Sequence, residues 1–317
     1  MTELANQVHE AIVSLSQFKA LQPQDYTTTR LGGLTNLVFR GEPVSPQARA
    51  AFGGNIIVRI PGPGTEEFID REVEAFNAEQ ASIAGISAKV IYSDPQSGLM
   101  ISRCIDDSVT MSPELFNTRK GSPARAGRAF RQLHQSGVEF KFRFELFAMI
   151  DDYLNILSTK KVDLPEGYHQ VVEAAQPVKA ALAKNPGSLA PCHCDPLCEN
   201  LLDDGDRMWI IDWEYSGQND PYWDLGDLSV EGGFDEAQDM EMLNAYCQGD
   251  PHRESIARMV IYKAMCDLLW TLWGLIQHAN DNPAEDFWAY ATERFERCKK
   301  LMNTPQFKAH VETIAAG

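Results

Sequence analysis

Positive charge is scarce in this chain: across 317 residues, 28 Lys and Arg stand against 45 Asp and Glu, a formal net charge of −17. Nucleic-acid binders carry basic patches, so that class is excluded, whereas a negative field concentrates small cations. Long apolar runs are missing as well; none approaches the roughly eighteen residues of a membrane helix. The opening MTELANQVHEAIVSL has neither a basic leader nor a cleavage site. The expectation is a cytoplasmic protein without membrane insertion, monomeric or homodimeric. Cysteine is sparse and odd in number, seven without framework spacing, which points to reduced thiols. Cys192, Cys194 and Cys198 surround His193 but lack the paired CxxC clusters of structural zinc sites, so zinc is not expected. There is no GxxxxGK[ST], which excludes a P-loop.

What is present has room for two domains or lobes, with an ordinary 44% hydrophobic content. Leu4, Val8, Ile12, Leu15 and Phe18 recur at helical spacing and predict an amphipathic helix over residues 3–20. TTTRLGGLTNLVFRG reads as strand, Gly32-Gly33 turn, strand. Such glycines let the backbone approach a phosphate, with the Thr35 hydroxyl and Asn36 as further donors; the same pair also makes an ordinary hairpin turn. Residues 55–60, NIIVRI, predict a buried strand whose one charge, Arg59, needs a partner. A helical stretch at 65–80 offers Glu72. Residues 88–92 and 99–103 predict two more strands around an Asp-Pro-Gln-Ser-Gly turn. Beyond them the chain turns helical at 125–135, 144–157 and 168–183, and His134 reads as a helix residue, not a ligand.

The chemistry concentrates in PCHCDPLCENLLDDGDRMWIIDWEYSGQNDPYWDLGD, residues 191–227. Two short apolar runs, 200–202 and 208–211, flank an Asp-Asp-Gly-Asp turn and predict a β-hairpin. Its open end would place Asn200 beside Asp212, with Asp195 on the approaching loop. Asn200 and Asp212 supply the sparse oxygen set that Mg²⁺ prefers when nucleotide phosphates complete its shell. Asp195, not itself a ligand, is left to accept the proton of an attacking hydroxyl. H-x-D-x-x-x-x-N followed by a hairpin and I-D is the spacing of kinase-like phosphotransferases. His193 props the loop.

On these stretches, together with residues 56–74, IIDWEYSGQNDPYWDLGDLSVEG, LLWTLWGLIQ and FWAYATERF, nearly the whole chain resembles the choline/ethanolamine kinases. That family lies within the wider aminoglycoside-phosphotransferase and protein-kinase-like group. The resemblance implies a two-lobed α+β fold. Residues 1–104 would form a nucleotide-binding lobe with a five-stranded antiparallel sheet and one long helix, and residues 105–317 a mainly helical lobe carrying the catalytic loop and the acceptor site. It implies that Arg59, held by Glu72, faces the ATP phosphates, that backbone groups near Ser102–Cys104 pair with the adenine edge, and that Asp224 holds the loop. The family usually carries Asn or Gly where Cys194 stands, and activity is expected to survive the change.

For the acceptor, Trp270 and Trp273 lie three apart on one helix and share a face, with Tyr290 on the next helix and Glu231 supplying a carboxylate. Aromatic faces with a nearby charge suit a quaternary ammonium, which has no N–H to donate. The expected reaction is transfer of the ATP γ-phosphoryl group to the hydroxyl of choline, with Mg²⁺. Alternatives are ethanolamine, thiamine or an aminoglycoside as acceptor, or a nucleotide-binding pseudokinase.

Overall fold

Alternation along the strand that carries Arg59 shows how the first lobe is built. Ile56, Val58 and Ile60 turn into an apolar core shared with Val8, Ile12, Phe18 and Phe52, and Ile57 and Arg59 take the opposite face. The computed structural model describes residues 3–32, 36–62, 69–160 and 162–317. In order, the lobe comprises α1 (Glu3–Val13), β1 (Tyr26–Gly32), β2 (Asn36–Pro43), α2 (Pro46–Phe52), β3 (Ile56–Pro61), α3 (Arg71–Ile83), β4 (Val90–Ser93) and β5 (Met100–Arg103). The five strands form one antiparallel sheet in the order β1-β2-β3-β5-β4.

Two helical expectations change here. The helix expected over 3–20 ends at Val13; the chain continues in tight turns, with the N–H groups of Leu15, Phe18 and Leu21 donating three residues back, and still buries Leu15 and Phe18. The stretch expected from residue 65 begins at Arg71, because the Asp70 carboxylate caps the N–H groups of Glu72 and Val73. That start sets the buried stripe as Glu74, Asn77, Ala78 and Ala81, a helical i, i+3, i+4, i+7 face.

The second lobe contains β6 (Val109–Thr110), α4 (Pro113–Thr118), α5 (Ser122–His134), α6 (Leu146–Lys160), α7 (Tyr168–Ala174), α8 (Gln176–Lys184), β7 (Ala190–Cys192), β8 (Leu201–Asp203), β9 (Met208–Ile210) and β10 (Gly217–Asn219). It closes with α9 (Tyr222–Glu231), α10 (Glu236–Cys247), α11 (Arg253–Ala279), α12 (Phe287–Met302) and α13 (Pro305–Ala316). The single helix expected over 168–183 is two, because Pro177 in the first turn of α8 has no N–H to continue α7. By length and composition α11 is apolar enough to cross a membrane, although no such run was apparent from the sequence; 83% of its most apolar window is buried inside the protein. It is the axis of the largest core, where Met265, Leu268, Leu272, Leu275 and Ile276 are fully buried.

Candidate active site

The loop that bears Asp195 is fixed from beneath. Asp224, in the first turn of α9 and fully buried, accepts the backbone N–H of His193 and of Cys194, each at 2.8 Å, and lies 3.0 Å from His134 Nε2. His134 also meets the Tyr246 hydroxyl at 3.0 Å, so it is a packed residue in this clamp. The Trp223 indole donates to the Cys194 carbonyl at 3.0 Å, and β7 pairs with β10. Cys194 has φ +68°, a left-handed conformation that Gly and Asn adopt readily and other side chains resist. The thiols of Cys192, Cys194 and Cys198 are buried, and burial pushes their pKa values up. Cys192 comes within metal-ligand reach of His134 and Asp224, but both Asp224 oxygens already serve the loop.

The hairpin forms as expected from β8 and β9, with Leu201 opposite Ile210. Ile211 N–H extends the ladder to the Asn200 carbonyl at 2.9 Å, which brings Asn200 and Asp212 to the same open end. His193 Nε2 meets the Ile211 carbonyl at 2.8 Å and its ring packs edge-on to Trp213, so the loop and the hairpin end are tied together. Asn200 Nδ2 donates to the Asp195 carbonyl at 3.1 Å, which leaves its Oδ1 for a cation.

Arg59 reaches this end from β3. Its guanidinium donates to Glu74 and, at 3.2 Å, to Asp212. The expected partner Glu72 is exposed on the second helical position, and Glu74 takes its place because the Asp70 cap turns that residue inward. Arg71 Nη1 also donates to Glu74, at 2.7 Å. Burial opposes both members of the Arg59–Glu74 pair, yet their mutual attraction holds the Arg59 pKa above, and the Glu74 pKa below, its ordinary value.

One acid that the sequence reading passed over joins them. Glu214 lies two residues after Asp212, beyond the end of β9, where Asp212 takes a left-handed backbone (φ +67°) and the buried Trp213 between them donates to Ser87. Carboxylate oxygens of Glu74, Asp212 and Glu214 lie within 4.8 Å of one another. Burial and the Asp212 charge push Glu214 up to about 8. Asp212 is also raised, by burial, against the pull of Arg59. A divalent cation relieves this accumulation of charge, so Asn200, Asp212 and Glu214 are a donor set that fits Mg²⁺. The D-x-E spacing just past the hairpin was the signal.

Of the other residues expected on the nucleotide side, Gly33 and Thr35 lie outside the described residues. Gly32 ends β1 at a register shift. Asn36 is buried and donates to Glu214 at 3.1 Å, so its amide serves the acidic cluster. Ser102 sits inside the sheet between β3 and β4. The N–H of Cys104 is given to the Asn55 carbonyl at 2.9 Å, which removes it as a donor to an adenine edge; the sheet extends one residue further than the strand pattern indicated.

An aromatic wall lies within reach of the Asp195 charge: burial, then neighbouring charges that include Asp195, raise the hydroxyl pKa values of Tyr215 and Tyr290. Trp273 is partly exposed, donates to the Tyr215 hydroxyl at 3.0 Å, and packs edge-on to Tyr290 and Phe287. Trp270 is 4% exposed, donates to Asp227 at 3.1 Å and packs against Tyr215, so it belongs mainly to the core. Tyr215, unrecognised in the sequence, links the two tryptophans. Gly274 makes the wall possible, because a Cβ there would lie 2.6 Å from the Tyr290 ring. Tyr153 of α6 is buried in the adjoining core, and burial, then the Asp195 charge, raise its hydroxyl pKa. Asp195 itself is raised well above the usual carboxylate range by burial, then by the charges of Asp227, Glu231, Glu214 and Asp212. This concentration of negative charge selects for cations. A separate cavity of 970 Å³ between α7, α8, α12 and α13 contains none of these groups.

The sheet-borne cation, the clamped Asp195 loop and the acidic hairpin define a kinase-like phosphotransferase. The chain matches the choline/ethanolamine kinase family model over residues 28–255. It is similar to a solved choline/ethanolamine kinase family protein from Mesorhizobium loti, with 54% identity, 99% of this chain and 100% of that one covered, and a TM-score of 0.88. The choline kinase LicA from Streptococcus pneumoniae aligns at 26% identity over 95% of this chain and 99% of its own, with a TM-score of 0.75. A probable ethanolamine kinase of Arabidopsis thaliana is 24% identical over 304 residues, 85% of this chain and 77% of that protein. This chain belongs to the choline/ethanolamine kinase family, and its activity is that of a phosphotransferase acting on an alcohol group.

Proposed function

We propose that this chain transfers the γ-phosphoryl group of ATP to the hydroxyl of choline, giving phosphocholine and ADP. The reading rests on one juxtaposition. Asp195 is within electrostatic reach both of Asp212 and Glu214, which Arg59 joins, and of Tyr215 and Tyr290 in the Trp273 wall. This supports a short cationic acceptor whose hydroxyl meets a carboxylate and a phosphate site together. Asp195 orients and deprotonates the hydroxyl. Arg59 neutralises phosphate charge, while Asn200, Asp212 and Glu214 are the residues that would hold Mg²⁺, which supplies charge neutralisation to the transferring group. The remainder of the catalysis is positioning, because this transfer needs little covalent help. Residues 1–104 act as the nucleotide lobe and 105–317 as the acceptor lobe, in the cytoplasm.

A second reading has its own support. Asp227 and Glu231 stand one helical turn apart beside the aromatic wall, and two carboxylates suit an ammonium that has N–H groups, as in ethanolamine. ADP release with Mg-ATP and a panel of choline, ethanolamine, thiamine and an aminoglycoside decides between them. Saturable turnover with choline at the highest kcat/KM supports the first reading; preference for ethanolamine replaces it with the second.

A further inference from the structure

A cation of the protein's own already occupies part of the space assigned to the acceptor's ammonium. Arg294 lies one turn after Tyr290 on α12, with its side chain 5% exposed. Its guanidinium sits 4.4 Å from the centre of the Tyr290 ring. Nη2 donates to Glu231 Oε1, and Nη1 donates to Asp267 Oδ1 at 3.3 Å. Asp267, 1% exposed, is gripped from the far side by Arg297, whose Nε donates to Oδ2 at 2.7 Å and Nη2 to Oδ1 at 2.5 Å. A continuous chain thus runs Arg297, Asp267, Arg294, Glu231. A charge this buried persists only when paired, and the planar guanidinium spans two carboxylates as a Lys cannot.

The last link of that chain is the functional one. Glu231 ends α9, and among the described residues its Oε2 takes no hydrogen bond. Asp227, one turn earlier, is 1% exposed; its Oδ2 accepts from Trp270, while Oδ1 is buried without a partner. Like charges at i and i+4 repel, so an unrestrained Glu231 would swing away from Asp227 towards water.

We propose that Arg294 is a positioning residue for the phosphoryl acceptor. It pins Glu231 beside the aromatic wall by one carboxylate oxygen, leaving the other for the acceptor's ammonium. By covering a face of Tyr290, it directs that ammonium to Trp273 and Tyr215. The inference rests on the amino-alcohol kinase reading above.

The test compares Arg294→Gln, Arg294→Lys and Arg297→Gln. Binding of choline and of Mg-ATP is followed by tryptophan fluorescence, and turnover is measured in parallel. Loss of a charge-assisted contact at Glu231 should weaken choline binding about tenfold or more in Arg294→Gln, with Mg-ATP binding changed by less than about twofold. Arg294→Lys should fall between wild type and Gln. Arg297 touches Asp267 but not Glu231, so Arg297→Gln should leave choline binding within about twofold of wild type.

Unchanged choline affinity in Arg294→Gln overturns the proposal. So does an equal loss in Arg297→Gln, which would assign the effect to α11–α12 packing. If the Gln variant does not fold, the Lys variant decides: a loss confined to choline supports the proposal, and none overturns it. A wild-type chain that binds choline without turning it over defeats the kinase reading, while the binding comparison still judges Arg294. A chain that binds neither choline nor ethanolamine removes both.

Discussion

The guanidinium of Arg59 donates to the Asp212 carboxylate at 3.2 Å, joining the sheet of the first lobe to the acidic hairpin of the second. The same guanidinium is buried and held by Glu74, so the sheet-borne cation, its anchor and a proposed metal ligand form one electrostatic unit.

Removing the anchor should therefore differ sharply from removing its neighbour on the same helix. Glu74→Ala leaves Arg59 buried and under-paired, and a loss of about 3–5 kcal/mol in unfolding free energy is expected, with a raised KM for ATP. Glu72→Ala, on the exposed face, should stay within about 0.5 kcal/mol of wild type. Denaturant titration of both variants checks the pair; equal losses would restore Glu72 as the partner.

At Cys194 the positive φ makes backbone conformation the deciding factor. Cys194→Gly is expected to keep turnover and to remain within about 1 kcal/mol of wild type, since relief of the left-handed strain offsets the lost packing. Cys194→Val, β-branched in that conformation, should cost more than about 2 kcal/mol and reduce turnover. The prediction fails if Val is tolerated as well as Gly.

The two tryptophans should separate by burial. Trp270→Ala empties part of the core and is expected to cost about 3–5 kcal/mol of stability. For Trp273→Ala, loss of one cationic contact of about 0.5–2 kcal/mol corresponds to roughly a 2- to 30-fold rise in acceptor KM, with the KM for ATP little changed. Steady-state kinetics and thermal unfolding measured side by side distinguish the two effects, and identical behaviour of the variants would count against the division.

Glu214 makes the stability of the metal-free chain depend on pH. Its pKa in the folded chain, about 8, lies above the ordinary 4.5, so folding takes up a proton between those values. The contribution is fully present below pH 4.5 and is lost as pH rises through about 8. Thermal unfolding in EDTA from pH 5 to 9 should show the wild type losing more stability than Glu214→Gln across this window. Parallel curves would show that Glu214 is ordinary.

The sequence carried the hairpin and the meeting of Asn200 and Asp212 at its open end well, because turn chemistry is local, although it passed over Glu214 two residues on. It carried Arg59 well too, since a lone charge in an apolar strand demands a partner. It did not disclose which glutamate that partner was: the Asp70 cap sets the phase of α3, and that cap depends on where the helix begins. Tyr215 and Arg294 escaped for a different reason. Each owes its role to a contact made far along the chain, Tyr215 with Trp273 and Arg294 with Glu231, and no spacing signals such pairs. The left-handed backbone at Cys194 supplies the physical reason for the Asn or Gly expected there, which the resemblance stated without explaining.

The most direct test is the turnover of Asp195→Ala with Mg-ATP and choline, measured with nucleotide affinity in the same preparation. Loss of a positioned base should lower kcat by about 10²–10⁴-fold while ATP binding is kept. Turnover near that of the wild type would take the catalytic role away from Asp195 and, with it, the proposed arrangement of the site.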